Sequence, residues 1–183
     1  MLNVKQLSKS KQLQDVAFVQ LKNPETGDLE FTKKEQKNED GEIELVNDKK
    51  IGFELHSMHS KEFKRALRST VSHDLTKDEK KKHDEIKSSI DAGKDASDAD
   101  LDFLDYCEQK TTERMQLVFA MVTKKLHYIE LNQEDADAIG VKVGKGGKVV
   151  ETVDNIHKLY VALPDLSAQI GTGVAVKENF IKS

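Results

Sequence analysis

Two histidines near the end of the first third of the chain are spaced so that both imidazoles could reach one metal ion. They stand in the sequence His56-Ser-Met-His59. A zinc site needs three or four ligands, and the single cysteine, Cys107, is remote in sequence. The other histidines are scattered and belong to no motif. The pattern therefore favours two surface histidines between a strand and a helix, and we predict no metal site.

A stretch rich in glycine and lysine, residues 140–148, could in principle surround a phosphate group. The P-loop requires glycine, four residues and then Gly-Lys-Ser/Thr, so that backbone N–H groups enclose the phosphates. Counted from Gly140, the place of the second glycine is taken by Lys145, and no serine or threonine follows in place. We interpret the stretch as a flexible, hairpin-like turn and predict no bound cofactor.

Four aspartates and the cysteine complete the set of groups that could do chemistry. Asp98, Asp100, Asp102 and Asp105 resemble a cation cluster, but the glycine and the terminal glutamate of an EF-hand are absent. Acidic residues in the first turn of a helix explain them better, because they complement the helix dipole. Cys107, inside the same predicted helix, is interpreted as a small packing residue. No catalytic constellation results, so the sequence predicts a non-enzymatic protein.

Composition limits the possible partners. The chain has 183 residues, of which 34% are charged, and its formal net charge is −4. A negative net charge argues against a nucleic-acid partner. No segment approaches the ~18 consecutive apolar residues of a membrane span, and the N-terminus lacks the pattern of a signal peptide. We expect one compact domain that acts in a reducing cytosol, with neither nucleic acid nor membrane as partner.

Residues 1–57 are predicted to form an N-terminal region of two β-hairpins. The strands are expected at residues 16–21, 29–32, 43–46 and 51–55, on the basis of β-forming residues and alternation. Turn residues lie at 23–27 and 47–50, and residues 33–41 are interpreted as a solvated loop. One face of the resulting small antiparallel sheet should carry Ile43, Leu45, Ile51, Phe53 and Leu55.

Residues 58–183 are predicted to be mainly helical, which makes the fold class α+β. Helix N-caps are expected at Ser60, Thr76, Ser97 or Asp98, Thr152 and Asp165. Residues 72–97 should form an exposed, charged excursion, because their helix has only Ile86 and Ile90 as apolar residues. The longest helix, from residue 98 to about Leu126, should bury most of the apolar area.

Several short motifs, in order along the chain, resemble those of the tail assembly chaperones of long-tailed, siphovirus-type bacteriophages. A strand–turn–strand motif and a helix motif come first, followed by a charged segment and a long apolar helix. The motifs are Leu21-Lys-Asn-Pro-Glu-Thr-Gly-Asp28, Ser60-Lys-Glu-Phe-Lys-Arg-Ala-Leu-Arg68, Asn155-Ile-His-Lys-Leu-Tyr160, Pro164, Leu166-Ser-Ala-Gln-Ile170 and Asn179-Phe180. Many members carry a tryptophan after the long helix, where this chain has Tyr128-Ile-Glu.

The resemblance implies a non-enzymatic role in the cytoplasm of an infected bacterial host. Such chaperones bind the tape measure protein, help recruit tail tube subunits around it, and are not expected in the mature virion. A structural virion protein, such as a tail completion or connector component, is the alternative. An enzyme would need a pocket with convergent titratable groups, for which the sequence offers no sign.

A partner could be recognised by an edge strand of the sheet or by an apolar groove between helices. We favour the groove, with the C-terminal tail as an apolar element that moves about a hinge at Gly171-Thr-Gly173. The predicted partner-binding residues are Leu159, Tyr160, Val174, Val176, Phe180 and Ile181. Self-association is also expected, because thin cores often recruit a neighbour.

Overall fold

The computed structural model describes residues 15–39, 41–176 and 179. The strands are β1 (Val16–Gln20), β2 (Phe31–Lys37), β3 (Ile43–Lys50), β4 (Gly52–His56) and β5 (Thr123–His127). The helices are α1 (Lys61–Ser69), α2 (Lys77–Asp91), α3 (Asp98–Val122), α4 (Gln133–Ala138), α5 (Val153–Ala162) and α6 (Pro164–Ala175), with 3₁₀ turns at Val71–His73 and Lys145–Gly147. The predicted α+β fold class is confirmed.

The strands pair differently from the two predicted hairpins. An antiparallel sheet has the order β1–β4–β5, and β2 and β3 form a separate two-stranded ribbon. Strand β3 continues through the predicted turn at residues 47–50, and β2 occupies most of the predicted loop at residues 33–41. Polar side chains do not interrupt this ribbon, because both of its faces are largely solvent-exposed. Of the first predicted hairpin, the bridge between Lys22 and Leu29 remains.

The predicted apolar face is therefore divided between two sheets. Phe53 and Leu55 of β4 are 1% and 0% exposed and belong to the core, as expected. Ile43 and Leu45 of β3 are 66% and 68% exposed, so their assignment to the same buried face is wrong. The pattern of alternation is alike in both strands, and only the tertiary pairing decides which one is covered.

The core lies between one face of the three-stranded sheet and helices α1, α3, α5 and α6. Val118 and Val122 of α3 are fully buried there, together with Leu159 of α5 and Ile170 of α6. Each large apolar side chain buried in this way contributes about 1.5–3 kcal/mol relative to exposure. The C-terminal half of α3 thus supplies core residues, as the sequence predicts.

Helix α3 ends four residues earlier than predicted and passes directly into β5. The Thr123 hydroxyl donates to the Phe119 carbonyl at 2.8 Å and lies 2.7 Å from the Tyr160 hydroxyl. The apolar spacing of residues 123–126 favours a helix only locally, and the hydrogen bonds between β5 and β4 outweigh that preference. Because the third strand comes from the helical region, the two predicted regions share one sheet.

The local helix-start signals are mostly confirmed. Ser60, Thr76, Ser97 and Thr152 each accept a hydrogen bond from a first-turn backbone N–H, and Thr76 and Ser97 form full capping boxes. The prediction for Asp165 is wrong, because α6 begins at Pro164 and Asp165 lies inside its first turn. Proline suits this position, since it has no N–H to leave without a partner.

The charged segment 72–97 is exposed, as predicted, and is attached to α3 by polar contacts. The Glu79 carboxylate accepts hydrogen bonds from the Lys110 ammonium at 3.0 Å and from the Tyr106 hydroxyl at 2.8 Å. Arg114 forms an ion pair with Asp74 at 2.7 Å. The backbone N–H of Thr76, with Lys110 and Tyr106, lowers the pKa of Glu79 from 4.5 to about 2. Helix α2 therefore depends on charged contacts, since none of its residues is buried.

One buried amide fixes both ends of the Gly-Lys stretch. The side-chain oxygen of Asn155, a residue 2% exposed, accepts from the Lys142 N–H at 2.6 Å. Its NH₂ group donates to the carbonyls of Lys142 and Val150, each at 2.8 Å. Asparagine satisfies three backbone groups here, which an apolar residue of similar size cannot do.

The substitution Asn155→Ala should destabilise the protein by about 1–3 kcal/mol, because it leaves the Lys142 N–H without a partner. The carbonyls of Lys142 and Val150 lose one hydrogen bond each and keep those from the Val150 and Thr152 N–H groups. Urea denaturation followed by circular dichroism measures this change. Lys158→Ala on the same helix removes only an exposed ion pair with Asp154 and should cost less than about 0.5 kcal/mol. Equal losses for the two variants would contradict the role of the buried amide.

The substitution Glu79→Gln should loosen α2 at neutral pH, because the amide cannot replace the carboxylate that Lys110 and Tyr106 contact. The folded-state pKa is lowered to about 2, so the contribution of this carboxylate is complete above pH 4.5 and is lost as the pH falls towards 2. Amide exchange of α2 should therefore differ between the two proteins at pH 6 and converge below about pH 2. Glu85→Gln, which removes only an exposed ion pair with Lys81 on the same helix, is the control; an equal effect there would refute the contact.

Candidate functional site

The groups that could bind metal do not converge. Within the described ranges, no three His, Cys, Asp or Glu side chains are placed to hold a metal ion. His56 ends β4, and its Nδ1 atom lies 3.8 Å from the Glu62 carboxylate. The Asp100 carboxylate accepts hydrogen bonds from the backbone N–H and the hydroxyl of the N-cap Ser97, so helix capping explains its position. Cys107 is 1% exposed, and burial raises the pKa of its thiol, so it packs as predicted.

The Gly-Lys stretch forms a defined turn with a short antiparallel pairing. Val143 and Val149 pair as an antiparallel bridge, in agreement with the hairpin-like interpretation. Gly147 has φ +76°, and its carbonyl accepts from the Leu131 N–H at 2.8 Å. A Cβ at Gly147 would lie 2.5 Å from the Leu131 carbonyl oxygen. Glycine is therefore required at position 147 by backbone conformation and close packing.

Three of the six predicted partner-binding residues are buried in the core. Leu159, Tyr160 and Val174 are at most 3% exposed and belong to the core. Val176 is 36% exposed, while Phe180 and Ile181 lie outside the described residues. The predicted hinge at residues 171–173 is wrong, because these residues continue α6. Glycine occurs there because a Cβ at Gly173 would lie 3.0 Å from a methyl group of Val19, so α6 can approach β1 closely.

An apolar groove lies beside that close approach, between strand β1 and helix α6. We refer to it as the β1–α6 groove, and its volume is about 600 Å³. Its main apolar lining residues are Phe18, Val19, Leu29, Ala168, Gly173 and Val176. Leu29 is 49% and Phe18 39% exposed, so large side chains face solvent here. Exposed apolar surface in a concave site is typical of binding regions.

One side-chain amide closes the groove at the hairpin. The Gln169 oxygen accepts from the Lys22 N–H at 2.8 Å, and its NH₂ group donates to the Lys22 carbonyl at 2.7 Å. These two bonds reproduce what a neighbouring strand would offer to the backbone at Lys22, two residues beyond β1. The turn itself is held by Asn23, whose side-chain oxygen accepts from the Glu25 N–H at 2.9 Å. Helix α6 and the hairpin are thus joined across 147 residues of sequence.

The backbone of β1 contributes polar groups to the same groove. Among the described strands, β4 alone pairs with β1. The Leu21 N–H donates to Ile51 on the β4 side, and N–H directions alternate along an antiparallel strand. The N–H and C=O groups of Phe18 and Gln20 therefore point away from β4, on the side where Gln169 contacts the backbone of Lys22. At the other sheet edge, the Leu126 N–H donates to the Glu151 carboxylate at 2.7 Å, so that edge is partly occupied.

The groove was not predicted from the sequence. The available signal was the spacing of small residues in α6, Ala168, Gly171 and Gly173, which marks a helix face that another element can approach closely. Gln169, within the motif Leu166-Ser-Ala-Gln-Ile170, was a second signal. Neither indicates its contact partner, which lies at the opposite end of the chain.

No protein-family model matches the chain, and neither a curated protein nor a solved structure matches it. None of the helices within the described part of the chain has the length and apolarity to cross a membrane. The groove and the contacts around it are therefore the observations from which a function has to be inferred.

The substitution Gln169→Glu should loosen the hairpin, because a carboxylate can accept from the Lys22 N–H but cannot donate to the Lys22 carbonyl. Amide exchange over residues 22–28 should accelerate about tenfold, the equivalent of one lost hydrogen bond. Gln36→Glu makes the same change on the exposed ribbon and serves as the control. Unchanged exchange in the Gln169 variant would contradict the closing role of this amide.

Proposed function

We propose that this protein is a phage tail assembly chaperone that binds the tape measure protein and helps recruit tail tube subunits without catalysing a reaction. It would act in the cytoplasm of the infected host and be absent from the mature virion. One observation supports this proposal above the others. The hairpin motif at residues 21–28 and the motif at residues 166–170, which both contribute to the resemblance, are joined by the Gln169–Lys22 pair beside an exposed apolar groove.

The groove suits an apolar polypeptide segment as its ligand. Phe18, Leu29 and Val176 would cover apolar side chains of the partner, and the backbone groups of Phe18 and Gln20 could pair with an extended segment. This arrangement combines the two recognition modes that the sequence leaves open. The net charge of −4 helps keep such a complex in solution.

Co-expression with the tape measure protein of the same phage genome tests the proposal. Wild-type chaperone should keep the tape measure protein in the soluble fraction and co-purify with it. Ala168→Arg should abolish this recovery, because a long charged side chain on α6 fills the groove. Val161→Asp changes an apolar residue that is 46% exposed outside the groove, and it should behave as wild type. Failure of the wild-type protein to recover tape measure protein would refute the proposal.

A structural virion protein is the competing proposal, and purified particles distinguish the two. Mass spectrometry should find no stoichiometric amount of this chain in mature virions if it is a chaperone. Stoichiometric presence would favour a tail completion or connector role. The gene neighbourhood gives independent support if a tail tube gene precedes this gene and the gene of a very long helical protein follows it.

A further inference from the structure

The described chain ends at the β1–α6 groove. Asn179, its last described residue, is one of the residues that line the groove. Val176 leaves α6 with an extended ψ of 107°, and its carbonyl accepts from the Asn179 N–H at 3.2 Å. The Asn179 side-chain NH₂ group donates to the Gly173 carbonyl at 3.0 Å. In a continued helix these residues would be separated by about 9 Å along the axis, so the chain turns back over the end of α6.

The residues that follow this turn match the groove in chemistry. Phe180 and Ile181 come directly after Asn179 in the sequence. On the groove wall, Phe18 and Leu29 are large apolar side chains that remain exposed. Bringing the two apolar surfaces together removes both from water, which is favourable. The turn at residue 179 therefore places an apolar segment at the edge of an apolar groove.

The segment 180–183 is long enough to follow the groove. Four extended residues span about 13–14 Å. The groove follows α6 from Val176 back to Ala168, a distance of about 12 Å at the rise of an α-helix. The segment can therefore cover the groove while α6 keeps its full length.

The direction of the segment also suits the backbone of β1. Lys22 contacts Gln169, and Val19 lies against Gly173, so β1 and α6 run in opposite directions. A segment that turns back along α6 therefore runs parallel to β1. The N–H and C=O groups of β1 that point away from β4 could then pair with it as with a parallel strand.

We propose that residues 180–183 occupy the β1–α6 groove in the free protein and that a partner has to displace them. The short connection gives the segment an effective concentration of about 1 mM. A contact with a dissociation constant of about 0.1 mM would then close the groove in about 90% of the molecules. Occupancy of the groove stands on the geometry alone, whereas displacement by the tape measure protein rests on the proposed function.

Nuclear magnetic resonance of the full chain tests occupancy. Overhauser effects should connect the Phe180 ring with side chains of the groove wall such as Leu29. In the double variant Phe180→Ala with Ile181→Ala, the amides of Phe18 and Gln20 should exchange at least about tenfold faster, because the segment no longer covers them. Circular dichroism verifies that the variant is folded.

A matched control changes the polar half of the same segment. Lys182→Ala with Ser183→Ala should leave exchange in the groove within about threefold of wild type, because the apolar pair and the backbone are retained. Occupancy is overturned if the two double variants exchange alike or if no Overhauser effect connects residues 180 and 181 with the groove. It is also overturned if the groove is instead contacted by residues 1–14 or, in mixtures of labelled and unlabelled chains, by a second copy.

Titration of immobilised tape measure protein tests displacement. The variant without Phe180 and Ile181 should reach half-saturation at an about tenfold lower concentration than wild type, because its groove is open in every molecule. Equal or weaker binding by this variant overturns displacement, and weaker binding would make the two residues part of the partner contact. If neither protein binds while the Overhauser effects are present, the proposed function fails and occupancy of the groove is retained.

Discussion

The direct passage from helix α3 into strand β5 is the constraint on which the remaining architecture depends. No loop separates Val122 from Thr123, so the direction of the helix axis sets the direction in which β5 leaves it. The Thr123 hydroxyl stabilises this junction, because it donates to the Phe119 carbonyl of α3 and forms a hydrogen bond with the Tyr160 hydroxyl of α5. Once β5 is placed, β4 and β1 follow by pairing, and α5 is held against the same junction.

Residues of the C-terminal sequence motifs have separate structural roles in this arrangement. Tyr160 and Asn155 act inside the body of the protein, where they join α5 to the helix–strand junction and to the Gly-Lys turn. Gln169 acts at the surface, where it joins α6 to the hairpin. The C-terminal motif residues are thus divided between those that hold the fold together and those that border a surface open to a partner.

Local features of the fold were predictable, and pairings between distant segments were not. The caps at Ser60, Thr76 and Ser97 involve partners within three residues, so the sequence alone identifies them. Strands β3 and β4 have the same alternation, yet Leu45 is exposed and Leu55 is buried. That difference depends on which strand meets β1 and β5, and local patterns do not encode it. For the same reason the predicted partner-binding set included residues that the structure buries, such as Leu159.

The position of Cys107 has a practical consequence for spectroscopy. Thiol reagents attack the thiolate, and this thiol is both buried and held in its protonated form by a raised pKa. Two cysteines engineered on the groove rim and on the ribbon would therefore react with maleimide or nitroxide probes while Cys107 stays unmodified. Distances between paired labels could then be measured by fluorescence or electron paramagnetic resonance in a chain whose own cysteine has not been removed.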